Sequence, residues 1–383
     1  MKIVGIVSEY NPFHNGHARQ LYLIRQKLGE EAVIVCAMSG NYVQRGAPAI
    51  FDKTLRARAA VECGADLVLE LPVQTALSSA EGFAAGSVSL LGRLCDTLCF
   101  GCESADAEKM TQTARLLLSP DFSLHLRTHL DTGLSFPAAR QKALEQMGGE
   151  SSLLSSPNNI LGVEYCKAIL SQNLSMEILP VQRDGGYHDL LPKPEQPSAT
   201  SLRRLIREGQ DISPYVPQPA AALFRDAPIH SLSAGERAVL MRLRTMTDTE
   251  FEALPYGSEG LWRKLMHASR VCATLEEILT TVKSKRYTRS RLDRMVMCAF
   301  LGLTAQQMHT PVDYARVLAF SSRGRQLLAA HRESGFFLHT GQKTHHPHWD
   351  LERRCDSLYG LFREDTPAPP DAAEKNRIFY KQK

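Results

Sequence analysis

Residues 2–17, with the sequence KIVGIVSEYNPFHNGH, decide how the beginning of this chain folds. Residues 2–7 form a short apolar run rich in β-branched side chains, which predicts a buried strand. A loop follows, and apolar residues then recur at helical spacing over residues 21–28. The segment therefore predicts a strand, a loop and a helix, with His14 and His17 at the point where the loop meets the helix.

The alternation of strand and helix continues through the first hundred residues. Buried strands are predicted at residues 32–38, 66–71 and 97–100, and a helix is predicted at residues 54–63. Continuous apolar strands that alternate with helices are typical of a parallel sheet with helices on both faces. Ligands of such α/β sheets bind outside the carboxyl ends of the strands, so the loops that follow the strands are expected to carry the chemistry.

The rest of the first domain is predicted to be mostly helical. Helices dominate residues 105–171, another strand is predicted at residues 176–181, and a helix follows at residues 198–207. We therefore predict an α/β domain over residues 1–210.

A second domain is expected after a proline-rich linker. Residues 211–219 contain three prolines, and beyond them the apolar spacing is helical. Helices are predicted at residues 238–246, 260–279, 291–303 and 324–332. The prediction is a mainly helical domain over residues 220–383.

Composition places the chain among globular proteins. Of its 383 residues 43% are apolar and 22% charged, which excludes a disordered chain. No apolar stretch is long enough to span a bilayer, and the apolar N-terminus meets Glu9 too soon for a signal peptide, so we expect a cytoplasmic protein. The nine cysteines lack the spacing of a disulfide framework, and the net charge of +4 neither requires nor excludes nucleic acid.

The His-x-Gly-His motif at residues 14–17 predicts a nucleotide site. A helix N-terminus offers N–H groups and a positive dipole end to phosphate, and Gly16 lets a ring or ribose approach the backbone. Two imidazoles three residues apart can donate hydrogen bonds to a phosphate as negative charge builds there. The alternative is that the loop only joins strand to helix. The chain has neither a Walker A motif nor Gly-x-Gly-x-x-Gly, and the arrangement resembles the nucleotidyltransferase superfamily, whose signature is this motif on a Rossmann-like sheet.

That superfamily implies a second phosphate-binding segment late in the domain. Ser198, Thr200 and Ser201 cluster at the start of a predicted helix, and Arg203 lies one turn further on. These hydroxyls could cap the helix or bind phosphate. Paired with the first motif, the segment is interpreted as a site for the β- and γ-phosphates.

Further blocks in a fixed order narrow the resemblance. They are residues 38–46 (MSGNYVQRG), 70–72 (ELP), 100–103 (FGCE), 156–162 (SPNNILG), Arg183 with 187–189 (YHD), and 285–289 (KRYTR). Together with residues 9–17 they resemble the bacterial tRNA(Met) cytidine acetate ligase family, from residue 1 to about residue 294. Cys102 departs from the serine expected in the third block, but its side chain is also small.

The resemblance implies an activity that spacing alone does not give. Members of the family use ATP to activate acetate as acetyl-adenylate, with release of pyrophosphate. They then transfer the acetyl group to N4 of the wobble cytidine of elongator tRNA(Met), which becomes N4-acetylcytidine. Mg²⁺ is expected as the counterion of ATP, with no metal site of the protein itself, no obligate protein partner and no need for a nucleophilic cysteine.

Carried over motif by motif, the resemblance assigns catalysis to His14 and His17 at the α-phosphate. The implied ATP-binding residues are Val7, Ser8, Glu9, Tyr10, Asn11, Pro12, Phe13, His14, Asn15, Gly16, His17, Ala18, Arg19, Gln20, Gly101, Asn158, Arg183 and Asp184. Asn158 and Arg183 are suited to ribose or phosphate contacts, and Gly101 would let adenine lie against the backbone.

A basic cluster in the second domain is the candidate RNA contact. The residues are Lys283, Lys285, Arg286, Arg289 and Arg291. They are predicted to lie on a helix, with Tyr287 beside them for base or ribose stacking. The alternative is a solvated helix face, but with the tRNA-modifying resemblance we favour RNA contact. Arg25, Arg45 and Lys53 are further candidates near the active site.

Two other functions compete with the ligase. A small-molecule adenylyltransferase is a commoner use of this fold, but it would not need a helical domain with a basic stripe. A non-enzymatic RNA-binding protein would not need intact His14, Gly16 and His17. Metal sites at Cys95, Cys99 and Cys102, or at His345, His346 and His348, are disfavoured, and a role for His188 and Asp189 stays open.

Overall fold

The computed structural model describes residues 2–182, 197–332, 336–338, 347–369 and 378–382. The strands are β1 (Ile3–Ser8), β2 (Val33–Ser39), β3 (Tyr42–Val43), β4 (Ala47–Pro48), β5 (Leu67–Leu71), β6 (Thr97–Cys102), β7 (Glu177–Gln182), β8 (Ala315–Ser321), β9 (Phe337–Leu338) and β10 (Phe379–Lys381). The helices are α1 (Asn15–Leu28), α2 (Lys53–Glu62), α3 (Val73–Ala76), α4 (Ala80–Leu91), α5 (Ala107–Leu118), α6 (Pro120–Asp131), α7 (Phe136–Gln146), α8 (Pro157–Ser171), α9 (Ala199–Arg207), α10 (Gln218–Phe224), α11 (Glu236–Thr245), α12 (Asp248–Glu252), α13 (Leu261–Val271), α14 (Leu275–Val282), α15 (Arg289–Leu301), α16 (Ser322–Ala330) and α17 (Pro347–Tyr359).

Eight of the ten described strands form one sheet in the order β10-β8-β5-β2-β1-β6-β7, with β9 beside β8, and β3 and β4 form a separate antiparallel pair. The five strands β5, β2, β1, β6 and β7 run parallel to one another. Their carboxyl ends therefore meet at one edge of the sheet, where the loop after β1 also lies. The predicted parallel α/β fold is confirmed.

Helices cover both faces of this sheet, and every residue of β2 is therefore buried. Val33, Val35 and Ala37 point to a core shared with α4, α5 and α8. Ile34 and Cys36 alternate to the other face, where α1, α2 and α9 pack. A strand buried on both faces needs a continuous apolar run rather than an alternating one, which is why its sequence was recognisable.

The helical region from α11 to α15 has its own core, joined by α17. The apolar spacing predicted one helix over residues 260–279, and this was wrong. Helix α13 ends at Val271, and Thr274 is the N-cap of α14. It forms a capping box in which the Glu277 side chain accepts a hydrogen bond from the Thr274 backbone N–H. A Thr-x-x-Glu sequence at this point is a helix start that apolar spacing alone overlooks.

The chain then returns to the first sheet, which the sequence analysis did not foresee. Strand β8 pairs antiparallel with β5, and β9 and β10 pair parallel with β8. A short apolar run such as residues 315–321 cannot be told from a helix segment by its periodicity. The division into residues 1–210 and 220–383 stays a prediction, to which the structure adds that part of the second segment completes the sheet of the first.

Candidate nucleotide site and basic surface

A cavity of about 250 Å³ lies at the carboxyl ends of the parallel strands. The residues of the predicted ATP site that line it are Val7, Ser8, Glu9, Tyr10, Asn11, His14, Gly16, His17, Arg19, Gln20, Gly101 and Asn158. Pro12, Phe13, Asn15 and Ala18 are not among the lining residues. Arg183 and Asp184 lie outside the described residues, as do His188 and Asp189.

The two histidines of the motif are bonded to the same helix start. His14 is the N-cap of α1, and its Nδ1 accepts a hydrogen bond from the Gly16 backbone N–H at 3.1 Å. The Nδ1 atom of His17 accepts one from the His14 backbone N–H at 3.2 Å. The imidazole rings stack with 3.7 Å between their centroids and 20° between their planes. The motif thus supplies a reciprocal cap for α1, a role that Ser, Thr and Glu usually fill.

These bonds define the tautomer of both rings. Because each Nδ1 accepts from a backbone N–H, the ring hydrogen of His14 and of His17 in this arrangement sits on Nε2. Both side chains line the cavity at the N-terminus of α1, where the positive end of the helix dipole also lies. The site therefore offers a set of hydrogen-bond donors suited to a phosphate group.

Gly16 makes room for this arrangement. A Cβ atom at Gly16 would lie 3.0 Å from Cε1 and 3.1 Å from Nδ1 of His14. We expected this glycine to admit a ligand. The structure gives it a further role, because a side chain here would force the His14 ring to shift by a few tenths of an ångström.

Two buried aromatic residues support the histidines from behind. Tyr10 and Phe13 pack on the His17 ring with centroid distances of 4.8 and 5.5 Å. The Tyr10 hydroxyl lies 3.3 Å from Sγ of Cys36, and burial raises the pKa of Tyr10 well above its ordinary value. Tyr10 thus stays neutral, and its visible role is to hold the imidazole in place.

A buried arginine joins the loops that follow β1 and β2. The guanidinium of Arg56 donates to the backbone carbonyls of Glu9, Ser39, Gly40 and Phe51. A buried cation needs such partners for all of its donors, so these bonds hold the loops in a fixed relation. Nothing in the sequence distinguishes Arg56 from an ordinary helix-surface arginine.

The far side of the cavity is organised by Glu103, which the sequence analysis left without a role. Its carboxylate accepts hydrogen bonds from Asn158 Nδ2 at 2.8 Å and from the Asn159 backbone N–H at 2.9 Å. In return, Asn159 Oδ1 accepts from the backbone N–H groups of Glu103 and Ser104, both at 3.0 Å. These bonds fasten the end of β6, with Gly101, to the start of α8, so that Gly101 and Asn158 both line the cavity.

At the start of α9, the structure shows which of the predicted phosphate-binding hydroxyls cap the helix. Ser198 Oγ accepts the Ser201 backbone N–H at 3.1 Å, and Ser201 Oγ donates to the Ser198 carbonyl at 2.8 Å. Both hydroxyls are thus engaged in the helix cap, and neither lines the cavity. Arg203 does line it, and its guanidinium donates to the Asn11 carbonyl at 2.8 Å and to Thr200 Oγ1 at 3.1 Å.

Other lining residues come from blocks that the sequence analysis quoted without giving them a role. Gln44 lies in the loop after β2, and its backbone N–H donates to Glu9 Oε1 at 2.8 Å. Arg45, from the same block and considered only as a further RNA contact, also lines the cavity. The position of residues 38–46 directly after the second strand was the signal that could have identified them.

The basic cluster differs from its prediction. Helix α14 ends at Val282 and α15 begins at Arg289, so residues 283–288 form a loop rather than a helix. Tyr287 is only 4% exposed and belongs to the helical core, so its ring is not available for stacking on a base. The expectation of a helical stripe with an exposed aromatic was wrong, because the tyrosine turns inward while its charged neighbours stay in solvent.

The members of the cluster also differ in their partners. Arg286 pairs with Glu259 at 2.6 Å, and Arg289 pairs with Glu276 at 2.7 Å and with Asp293 at 2.8 Å. The hydrogen bond to Glu276 raises the pKa of Arg289. The Arg291 guanidinium donates to the Tyr256 carbonyl at 2.8 Å. Lys283 and Lys285 are exposed, and no carboxylate among the described residues pairs with them.

Lys53 is removed from the candidates for RNA contact. It is buried, and its Nζ lies 2.5 Å from Glu70 and 2.6 Å from Asp356 of α17. Burial and the nearby Arg316 lower its pKa, but the carboxylates of Asp356 and Glu70 outweigh them and the net shift is upward. Arg25 is likewise engaged, with its guanidinium 3.0 Å from Asp66.

The remaining candidates for metal binding are placed as follows. Cys95, Cys99 and Cys102 are buried, and burial raises the pKa of the Cys99 thiol to about 12. His348 is buried beside Gln74, whereas His345 and His346 lie outside the described residues. Within the described ranges, no three His, Cys, Asp or Glu side chains are grouped so that they could hold a metal ion. In the same ranges, no helix has the length and apolar character needed to cross a membrane.

The chain is similar to known proteins over most of its length. The model of the HIGH Nucleotidyl Transferase family matches residues 1–372. A tRNA(Met) cytidine acetate ligase of Acetivibrio thermocellus is 35% identical, over 86% of this chain and 85% of that protein. The tRNA(Met) cytidine acetate ligase of Alkaliphilus metalliredigens is also 35% identical, over 94% of each chain.

Solved structures agree with these sequence matches. The apo crystal structure of Thermotoga maritima TmcAL has a TM-score of 0.91 and 28% identity, with all of both chains covered. A second crystal structure of that protein, bound with alpha-thio ATP, has a TM-score of 0.88 and 27% identity over all of both chains. With this fold, this cavity and these relatives, the chain belongs to the tRNA(Met) cytidine acetate ligase family of HIGH-type nucleotidyl transferases.

Proposed function

We propose that this protein is an ATP-dependent ligase that acetylates N4 of the wobble cytidine of elongator tRNA(Met). The observation that carries the proposal is the stacked pair of His14 and His17, which caps α1 beside the cavity with both Nδ1 atoms engaged. Family membership supports the same activity, since the relatives described above carry the name tRNA(Met) cytidine acetate ligase. A neighbour of the same fold was crystallised with alpha-thio ATP.

In the first step an acetate oxygen attacks the α-phosphorus of ATP, and the bond to the β-phosphate oxygen breaks. Pyrophosphate leaves and acetyl-adenylate remains. Acetate is a weak nucleophile, so the step depends on in-line placement and on neutralisation of the phosphate oxygens. The Nε2–H groups of His14 and His17 donate to the α-phosphate as its charge grows, and the positive end of the α1 dipole favours the same negative charge.

The remaining lining residues hold the rest of the nucleotide. Asn158 presents Nδ2 to the Glu103 carboxylate, which can only accept, so its Oδ1 is the atom left for the ribose or the adenine amine. Arg203 reaches the β- and γ-phosphates from α9, while Ser198 and Ser201 keep that helix start in place. Mg²⁺ enters bound to the triphosphate, because phosphate oxygens and water are its usual ligands.

In the second step the N4 amine of the cytidine attacks the acetyl carbonyl carbon. The bond from that carbon to the AMP phosphate oxygen breaks, and the amine loses a proton. The wobble base must leave its stack to reach the cavity, as bases in single-stranded RNA loops commonly do. The exposed Lys283 and Lys285 contact phosphates of the bound tRNA.

The test combines purified protein, ATP, Mg²⁺, isotopically labelled acetate and total bacterial tRNA. After digestion to nucleosides, mass spectrometry is expected to find the label in N4-acetylcytidine, and only when ATP is present. Label in no nucleoside, together with acetate-dependent exchange of pyrophosphate into ATP, would leave adenylate formation standing and overturn the RNA acceptor. Absence of both signals would overturn the proposal and favour a small-molecule adenylyltransferase.

A further inference from the structure

Helix α13 presents a basic face that the sequence analysis did not single out. Its exposed side chains include Arg263, Lys264, His267 and Arg270, and Leu261–Val271 contains no acidic residue. Arg270 pairs with Asp248 at 2.7 Å. Arg263 and Lys264, in contrast, have no carboxylate partner within the described ranges, so their charge is available to a polyanion.

This face is continuous with the basic loop at residues 283–288. The Lys264 ammonium lies 5.4 Å from the centroid of the Tyr287 ring, and the Arg291 guanidinium lies 5.3 Å from the same centroid. The buried tyrosine therefore stands between α13 and α15 and brings their cations together. Lys283 and Lys285 extend from the loop that carries it.

The same surface reaches the nucleotide cavity through α15. Arg294 donates to the backbone carbonyl of Gln44, which lines the cavity together with Arg45. Gly46 has a φ of +75°, and a Cβ atom there would overlap the backbone of Asp293 and Arg294. This close approach places the loop after β2 directly on α15, so basic side chains follow one another from the cavity to α13.

The acidic residues near this surface are already neutralised or engaged. Glu259 is paired with Arg286 at 2.6 Å, and Glu276 is paired with Arg289 at 2.7 Å. Glu277 accepts backbone N–H groups in the cap of α14. Among the described residues, the exposed cations of this surface that form no ion pair with a carboxylate include Arg263, Lys264, Lys283 and Lys285.

An aromatic side chain stands beside the two free cations of α13. Trp262 is partly exposed, and the Arg263 guanidinium lies 4.8 Å from the centroid of its ring. An indole and a guanidinium side by side offer the surface on which bases or riboses stack, next to charges that hold phosphates. Tyr287 was expected to fill this role but is buried, whereas Trp262 is a partly exposed aromatic beside Arg263.

We propose that α13 is a second RNA-binding element, in which Arg263 and Lys264 contact tRNA phosphates and Trp262 stacks on a base or ribose. The inference rests on the proposed function, because it takes tRNA to be the polyanion. The backbone of the tRNA leaves the cavity past Arg45 and crosses α15. It then reaches α13 beyond the basic loop.

The first test is the variant Arg263→Ala/Lys264→Ala, compared with wild type for binding to tRNA(Met) over a range of salt concentrations. The dissociation constant is expected to rise about tenfold, and the slope of log K against log salt is expected to fall by about 1.4 to 1.8, since each lost phosphate contact removes about 0.7 to 0.9. Acetate-dependent exchange of pyrophosphate into ATP reports whether the fold and cavity are intact. The matched control is Arg127→Ala/Lys142→Ala, which removes two exposed cations from α6 and α7.

The second test reads out Trp262 directly and does not change it. The chain contains two tryptophans, so Trp349→Phe leaves Trp262 as the single indole fluorophore. Addition of tRNA is expected to quench its fluorescence, and high salt is expected to reverse the quenching. A merely structural role of Trp262 would leave its emission unchanged.

The outcomes separate this inference from the function on which it rests. Wild-type protein that neither binds nor acetylates tRNA would overturn the proposed function. The role of α13 alone would be overturned by a different result. In that case the wild type, the control variant and the α13 variant would all bind tRNA with the same affinity and the same salt slope. Unchanged Trp262 emission on saturation with tRNA would remove the stacking contact.

Discussion

The histidine loop and the basic loop differ in what holds their functional groups in place. In residues 9–17 the two histidines bond within the segment itself, because His14 and His17 cap the helix that carries them. In residues 283–288 the outcome depends on other elements, since Glu259 pairs with Arg286 and the helical core takes up Tyr287. A motif of the first kind can be read from sequence, whereas a cluster of the second kind acquires its meaning from its neighbours.

The largest effect is expected at His17, where two substitutions separate its two bonds. His17→Asn keeps an acceptor near the position of Nδ1 and loses the donor at Nε2, and His17→Gln does the reverse. We expect His17→Asn to lower acetate-dependent pyrophosphate exchange by roughly 100-fold to 1,000-fold, since a lost donor to developing charge has about that effect. His17→Gln is expected to retain clearly more activity.

The order of these two variants is the decisive result. If His17→Asn is the more active one, the histidine acts as a helix cap and the assignment of Nε2 to the α-phosphate fails. Affinity for tRNA, measured in parallel, is expected to stay at the wild-type level in both variants.

A somewhat smaller effect is expected for Gly16→Ala. The new methyl group would force the His14 ring to shift by a few tenths of an ångström, which is less than the displacement of about 1 Å that can lower the rate about 100-fold. We expect exchange activity to fall by about 10-fold while the thermal unfolding midpoint stays close to that of wild type. Full activity in this variant would mean that the observed position of the His14 ring is not required.

In the basic loop, free and paired cations are expected to behave differently. Lys283→Ala/Lys285→Ala is expected to weaken binding to tRNA by about fivefold to tenfold and to lower the salt slope by about 1.4 to 1.8. Arg286→Gln/Glu259→Gln removes an ion pair without a change in net charge, and its affinity for tRNA is expected to stay within about twofold of wild type. An exposed ion pair of this kind contributes at most about 1 kcal/mol to stability, so both proteins are expected to remain folded.

Equal losses of tRNA affinity in these two variants would show that paired and unpaired cations contribute alike to RNA binding. Partner carboxylates would then not predict which side chains contact RNA. Fluorescence anisotropy with labelled tRNA at several salt concentrations supplies both quantities.

The smallest effect on RNA binding is expected at Tyr287. Tyr287→Leu keeps an apolar side chain in the core and removes the aromatic ring. Because the ring is buried, affinity for tRNA is expected to change by less than about twofold, although the free energy of unfolding falls. A loss of about 1 to 3 kcal/mol in binding, the value of one stacked base, would show that the ring reaches the RNA after all.

Features that depend on residues close together in the sequence were predicted, whereas features that depend on contacts between distant residues were not. Strands β1, β2, β5, β6 and β7 were foreseen because each is a local apolar run, and the histidine motif was placed correctly at the start of α1. The role of Glu103 was missed, although its block had been quoted, because its bonds run to residues 55 and 56 positions further along the chain. The buried ion pair of Lys53 with Asp356 joins residues 303 positions apart, and no local pattern predicts such a partner.

The basic loop at residues 283–288 shows more clearly what a sequence pattern cannot predict. A run of lysines and arginines indicates a charged surface, but the same letters say nothing about which cation meets a carboxylate. Burial of Tyr287 depends on the packing of the helical core around it, and within that core the apolar spacing did not resolve the boundary between α13 and α14. The basic face of α13 went unnoticed because only Arg263 and Lys264 are adjacent in the sequence, and the exposed side of the helix becomes apparent only from its geometry.

The position of β8 has a consequence for how the protein is made. During synthesis β5 emerges early, but the strand that covers its outer edge follows only after the whole helical region, and the bond from Ser321 to Asp66 spans 255 positions. An exposed apolar strand edge is a template for pairing with other chains. The growing polypeptide therefore carries an open sheet edge through most of its translation. Either a chaperone bound to the growing chain or a rapid collapse of the helical region would have to shield that edge until residue 321 has left the ribosome.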